Sequence, residues 1–207
     1  MLYSFELIGV AIAAFSGVLA ARGKQIDLFG VIVLSAVTAF GGGTVRDVIL
    51  GSYPIFWIED EAFLVVSLST ALVAFFVSRK GRLLPEPIFQ IADAAALALF
   101  AIIGAEKTFL ITNKPLITIT MGVVTGTVGG LLRDVFVGQI PMVFRKEIHL
   151  YATAAFLGAG LYLASTLLGF GSIPSFGLGV LVTFLVRMAA IRYRISLPVF
   201  VEKDQNK

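Results

Sequence analysis

Seven stretches of this chain are each apolar for about the 20 residues that a helix needs to cross a bilayer, and short charged segments separate them. They cover about residues 2–21, 28–50, 62–78, 87–104, 116–137, 148–168 and 173–191. In hydrocarbon, backbone N–H and C=O groups must be satisfied within the spanning segment, so runs of this length form helices. Composition agrees. A soluble domain is about 45–50% apolar and about 25% charged. This chain is 58% apolar and 14% charged, with a mean hydropathy of +0.97. It has too few charges to cover a water-facing exterior. The expected fold is an all-α integral membrane bundle of seven transmembrane helices. The opening MLYSFELIGV lacks a basic flank, so the first segment is expected to be a span rather than a cleaved signal.

Several kinds of chemistry are excluded. There is no cysteine, which removes disulfides, thiolate metal sites and thiol nucleophiles. His149 is the sole histidine, so no multi-histidine metal centre exists. No nucleophile–base pair or cofactor motif is present, so neither an enzyme nor a bound cofactor is expected. The net charge of +3 comes without a basic-aromatic patch, which argues against a nucleic-acid partner.

Loop charges give an orientation. Arg22 and Lys24 follow the first segment; Arg79, Lys80 and Arg82 follow the third; Arg145 and Lys146 follow the fifth; Arg192, Arg194, Lys203 and Lys207 follow the seventh. These eleven fall on one side, against Lys107 and Lys114 on the other. The excess of basic residues on cytoplasmic loops then predicts a cytoplasmic C-terminus and an external N-terminus.

The chain also repeats itself. TAFGGGTVRDVILGSYP from Thr38 aligns without a gap to TGTVGGLLRDVFVGQIP from Thr125, an offset of 87. Eight positions are identical, including Gly42/Gly129, Gly43/Gly130, Arg46/Arg133 and Asp47/Asp134. The same offset carries Glu6 to Asp93 and Gly17 to Gly104. With three helices per copy, the second copy enters the membrane from the opposite face, an inverted-topology repeat. The expected units are residues 1–85, the inverted copy 86–170, a seventh span at 171–195 and a cytoplasmic tail at 196–207.

Helices two and five carry the chemistry. Gly41, Gly42 and Gly43 interrupt one, and Gly126, Gly129 and Gly130 the other. Each glycine costs about 1 kcal/mol relative to alanine inside a helix, so kinks are expected at both blocks. Paired interruptions in corresponding helices point to a substrate or ion path. Ser35, Thr38, Gly42 and Arg46 fall on one helix face, and Gly122, Thr125, Gly129 and Arg133 repeat that face. The plainer reading is that these small residues are packing faces. Arg46-Asp47 and Arg133-Asp134 are costly in a membrane unless paired or hydrated. They read as a staple between the halves, Arg46 to Asp134 and Arg133 to Asp47, as a gate, or as both. Asp93 is a further candidate acid. Glu6 reads as a solvated end, Arg187 as a snorkelling residue, and Trp57 and His149 as interfacial. The run Glu59-Asp60-Glu61 reads as a solvated outer patch.

GGGTVRDVILG and GGLLRDVFVG, one in each half of a seven-span chain, resemble the prokaryotic trimeric intracellular cation (TRIC) channels. The resemblance extends over about residues 2–195. It implies a homotrimer in membrane lipid with one pore per protomer. It implies a path along the glycine-kinked second and fifth helices, with Gly41, Gly42, Gly43, Gly129 and Gly130 at the kinks, and a monovalent cation, usually potassium, as the transported species. Val128 stands where the first glycine of the second triplet is expected. Such sequences are also classed as glycine transporters.

Two functions follow, together with a third that the duplicated polar face disfavours, a scaffolding protein. One is a passive potassium-permeable channel in the inner membrane of a prokaryote. The other is a carrier for a small neutral solute such as glycine, for which Arg133 and Asp93 would meet carboxylate and ammonium.

Overall fold

The computed structural model describes residues 2–79, 85–145 and 150–195. Within them the chain forms helices α1 (Leu2–Ala20), α2 (Leu28–Leu50), a short α3 (Phe56–Glu59), α4 (Ala62–Arg79), α5 (Glu86–Thr112) and α6 (Pro115–Phe136). A 3-10 turn (Met142–Phe144), α7 (Tyr151–Leu167) and α8 (Ser172–Tyr193) follow. No strand occurs among the described residues. Five helices, α1, α2, α5, α6 and α8, are long and apolar enough to cross a bilayer, while Ala62–Ser78 and α7 are shorter apolar helices. Lys80, Arg82, Lys146, His149, Lys203, Lys207 and the expected tail lie outside the described residues.

The helix ends follow from local chemistry. Asp27 caps α2, its carboxylate accepting from the Gly30 N–H at 2.8 Å. The helix ends at Gly51, whose φ of 65° suits a residue without Cβ. Proline opens both α5 and α6, where its missing N–H costs nothing.

Residues are distributed inside out relative to a water-soluble protein. Phe29, Val65, Val73, Leu110, Leu116 and Leu181 are exposed, as a lipid-facing exterior requires. Arg46, Asp47, Arg133, Asp134, Asp93 and Glu106 are buried. Lipid tails are as apolar as leucine, so helices associate through close packing rather than apolar burial. Alanines and glycines accordingly fill the contacts. Ala13 and Ala14 of α1, Ala105 of α5 and Ala159 of α7 are almost wholly enclosed. The central layer is α1, α2, α5 and α6, with α4 against α1 and α2, and α7 and α8 against α5.

Both glycine-bearing helices remain α-helical through their glycine blocks. Three expectations need correction. The fourth apolar segment does not stop at Gly104: α5 runs 27 residues to Thr112 and ends at Asn113 in left-handed conformation. Lys107 is therefore a helix residue rather than a loop charge. Arg187 does not snorkel. It is 3% exposed, and its guanidinium sits 4.9 Å from the centroid of the Tyr151 ring. Asp60 is more than a solvated charge. It accepts from the Ala62 amide at 2.8 Å and the Tyr3 hydroxyl at 2.7 Å, and these bonds, the amide's foremost, hold its carboxyl below the usual range.

Candidate functional site at the crossing of two helices

Threonine and glycine decide where α2 and α6 meet. A Cβ on Gly42 would collide with the Thr125 carbonyl oxygen, and a Cβ on Gly129 with the Thr38 carbonyl oxygen. Only glycine permits this backbone-on-backbone approach. The contacts are reciprocal: residue numbers rise along one helix as they fall along the other, so α2 and α6 cross antiparallel. The crossing threonines match as well. Thr38 donates its hydroxyl to the Leu34 carbonyl and Thr125 to the Met121 carbonyl, each at 2.6 Å. The hydroxyl oxygens remain able to accept or to coordinate.

The antiparallel crossing determines where the charged blocks go. Arg46 lies one turn past Gly42, and Arg133 one turn past Gly129, in opposite directions. At 1.5 Å rise per residue, the two arginine levels are about 18 Å apart along the axis. The expected cross-pairing of Arg46 with Asp134 and Arg133 with Asp47 therefore does not occur. Each arginine pairs with its own neighbour. Arg46 Nε donates to Asp47 Oδ1 at 2.8 Å, and Arg133 Nε donates to Asp134 Oδ1 at 3.0 Å.

Each acid also anchors the segment that follows its helix. Asp47 Oδ2 accepts from the Phe56 amide at 3.2 Å, and Asp134 Oδ2 from the Met142 amide at 2.8 Å. Beyond that the ends differ. Lys107 of α5 reaches Asp47 at 2.9 Å. At the other end Arg133 Nη1 donates to Asp93 Oδ1 at 2.7 Å and to the Ser16 hydroxyl at 2.8 Å. The Arg133 guanidinium also lies 4.9 Å from the Phe89 ring centroid. These charges are tolerable in a membrane protein because each is matched by opposite charge and hydrogen bonds.

Between the crossing and the Arg133 end lies a cavity with about 20 Å³ open to the centre of a water molecule, room for roughly one water. Thr38, Gly42, Thr125 and Gly129 form its crossing wall. Gly43, Gly126 and Gly130 border it, and Asp93, Arg133, Ser16 and Tyr151 supply its polar groups. Two candidates fall elsewhere. Ser35 is fully buried beside Gly17 of α1, and Gly41 faces the Leu132 side chain.

The sequence reading missed Ser16, the helical role of Lys107, and Tyr151, none of which belongs to the duplicated block. It also missed Glu106. That residue is 6% exposed, and its Oε2 has no hydrogen-bond partner among the described residues. Trp57 was expected at an interface; its indole N–H donates to Thr44 at 3.0 Å and its ring stacks on Phe40.

Comparison with known proteins gives this site its context. The family model described as "Glycine transporter" matches the chain twice, over residues 3–79 and 90–166. The second match begins 87 residues after the first, the offset of the repeated block. The chain is 43% identical to the UPF0126 inner membrane protein YadS of Escherichia coli (strain K12), over 100% of this chain and 99% of that protein. It is 34% identical to the UPF0126 membrane protein YvgT of Bacillus subtilis (strain 168), over 93% of each. Among solved structures, the TRIC trimeric intracellular cation channel orthologue from Rhodobacter sphaeroides superposes with a TM-score of 0.86. It is 36% identical, covering 94% of this chain and 98% of that one. A prokaryotic TRIC channel determined in 0.5 M KCl gives a TM-score of 0.85 at 33% identity, over 95% of this chain and 98% of that one. With the fold, the doubled block and these likenesses agreeing along nearly its whole length, the chain belongs to the family of prokaryotic TRIC channels.

Proposed function

We propose that this protein is a passive, potassium-permeable cation channel with one path in each protomer of a homotrimer. The observation that carries the reading is the crossing itself. Two antiparallel helices touch through glycine and threonine, a polar cavity adjoins the contact, and a neutralised charge cluster stands at either end. Threonine oxygens and nearby carboxylates can replace part of a cation's water shell. A cavity with room for about one water is a constriction for a small ion, so this conformation corresponds to a closed or narrow state. In this reading residues 1–85 and 86–170 are inverted copies, 171–195 is the seventh span, and 196–207 is a cytoplasmic tail. The glycine blocks both admit the close crossing and give α2 and α6 their points of kinking. The protein resides in the inner membrane of a bacterium, with the N-terminus outside.

The carrier reading is weakened by one feature. Arg133 and Asp93, its expected amino-acid site, are bonded to each other at 2.7 Å. The remaining donors of Arg133 face Asp134, Ser16 and Met142, leaving none for a substrate carboxylate. Purified protein in a planar bilayer tests the choice. Discrete current steps in potassium chloride are expected. Electrically silent, saturable glycine uptake without such steps would replace the channel with a carrier.

A further inference from the structure

The third glycine of each repeated block accommodates an aromatic side chain from outside the α2–α6 pair. A Cβ on Gly43 would stand 2.5 Å from the Phe56 ring, and one on Gly130 2.7 Å from the Tyr151 hydroxyl oxygen. Both are closer than real Cβ atoms approach, so each aromatic occupies space that a side chain at the glycine would need. The two seats differ in what they do. Phe56 follows from its own block, tied to Asp47 through its amide. Tyr151 is the first residue of α7, 87 positions after Leu64, so nothing in the duplication supplies it.

Tyr151 also borders the cavity, beside Asp93 and Arg133. Behind it stands Arg187 of α8, its guanidinium 4.9 Å from the ring centroid. The ring is thus held between a glycine seat on α6 and a cation on α8, and it is 5% exposed. A cation over an aromatic face adds attraction that strengthens when water is excluded.

We propose that Tyr151 is a specificity-determining residue of the path: its phenol, seated on Gly130 and backed by Arg187, sets the largest cation that can pass on the Arg133 side. The inference rests on the channel reading. Its ligand class is a small monovalent cation that exchanges part of its water shell for protein oxygens, the phenol oxygen among them. Larger organic cations are refused by the ring. Gly130 is then retained to make room for the phenol.

The test is permeation by size in planar bilayers with the full-length trimer. Reversal potentials are measured with potassium against methylammonium, dimethylammonium and tetramethylammonium. The wild type is expected to pass potassium and exclude the larger ions, and Tyr151→Ala to raise the relative permeability of dimethylammonium several-fold. Unchanged size selectivity in a conducting Tyr151→Ala channel overturns the inference and leaves the channel reading standing. A wild type that passes no potassium overturns both.

Tyr151→Ala also removes packing, so a second pair of variants keeps the question open to test. Gly130→Ala should reduce potassium conductance several-fold in the wild type, by pushing the phenol across the cavity. In a Tyr151→Phe background the hydroxyl is gone, and the same change should cost much less. Equal losses in the two backgrounds would mean that Gly130 is not the seat of the phenol, and the inference fails.

Discussion

At the scale of single residues, the two arginine–aspartate pairs have the same sequence and unequal surroundings. Asp47 alone accepts from Arg46, Lys107 and the Phe56 amide. Asp134 shares Arg133 with Asp93. Removing one partner of a buried ion pair costs about 3–5 kcal/mol. Asp47→Asn is expected to approach that range, because it deprives two cations at once. Asp134→Asn should cost distinctly less, because Asp93 remains on Arg133. Thermal unfolding of the purified protein measures both, and equal losses would contradict the asymmetry. Double-mutant cycles add a sharper check. Arg46 with Asp47 should couple strongly, whereas Arg46 with Asp134, about 20 Å apart by helix rise, should be additive. The four charged residues were legible in the sequence because they are duplicated. Their partners were not. Pairing depends on where the helices cross, and Ser16 and Lys107 sit in apolar runs that give no sign of which residue they meet.

At the scale of helices, the glycine blocks turn out to be packing surfaces as well as candidate kinks, and the magnitudes separate these roles. Alanine gains about 1 kcal/mol over glycine in a helix interior. Overpacking costs about 1–3 kcal/mol, and more where the neighbour cannot move. At Gly41 the added methyl would meet a Leu132 methyl at 2.8 Å, the mobile end of a side chain. Gly41→Ala is therefore expected to be close to neutral. At Gly42 and Gly129 the obstacle is the backbone carbonyl of the facing helix. Gly42→Ala and Gly129→Ala should each destabilise by at least the upper part of that range and lower potassium flux, because α2 and α6 must separate. Unfolding midpoints and flux from proteoliposomes would show it. A neutral Gly42→Ala would remove the crossing as the organising contact. Sequence reasoning singled out Gly42 and Gly129 because they are duplicated. It could not distinguish a bend from a close approach, because both need a residue without Cβ and only the facing helix tells them apart.

At the scale of the whole molecule, the apolar runs marked out the long helices because bilayer thickness dictates their length. The short α3 escaped notice, since four residues after a proline carry no periodicity. The orientation reading is also changed by the structure in one respect. Lys107, counted as an outer loop charge, lies within α5 and is bound to Asp47. That leaves Lys114 as the sole basic loop residue on the proposed outer side, which sharpens the bias. A C-terminal green fluorescent protein fusion is therefore expected to fluoresce in cells, and alkaline phosphatase inserted after Asn113 to be active outside the cytoplasm. Phosphatase at the N-terminus should also be active, because an odd number of spans puts the termini on opposite faces. Lys107→Ala should leave all three readouts unchanged while lowering thermal stability, as its charge acts on Asp47 rather than on insertion. Termini on the same side would mean an even number of spans. Two three-helix copies plus one added helix cannot produce that arrangement, so the inverted repeat would fall with it.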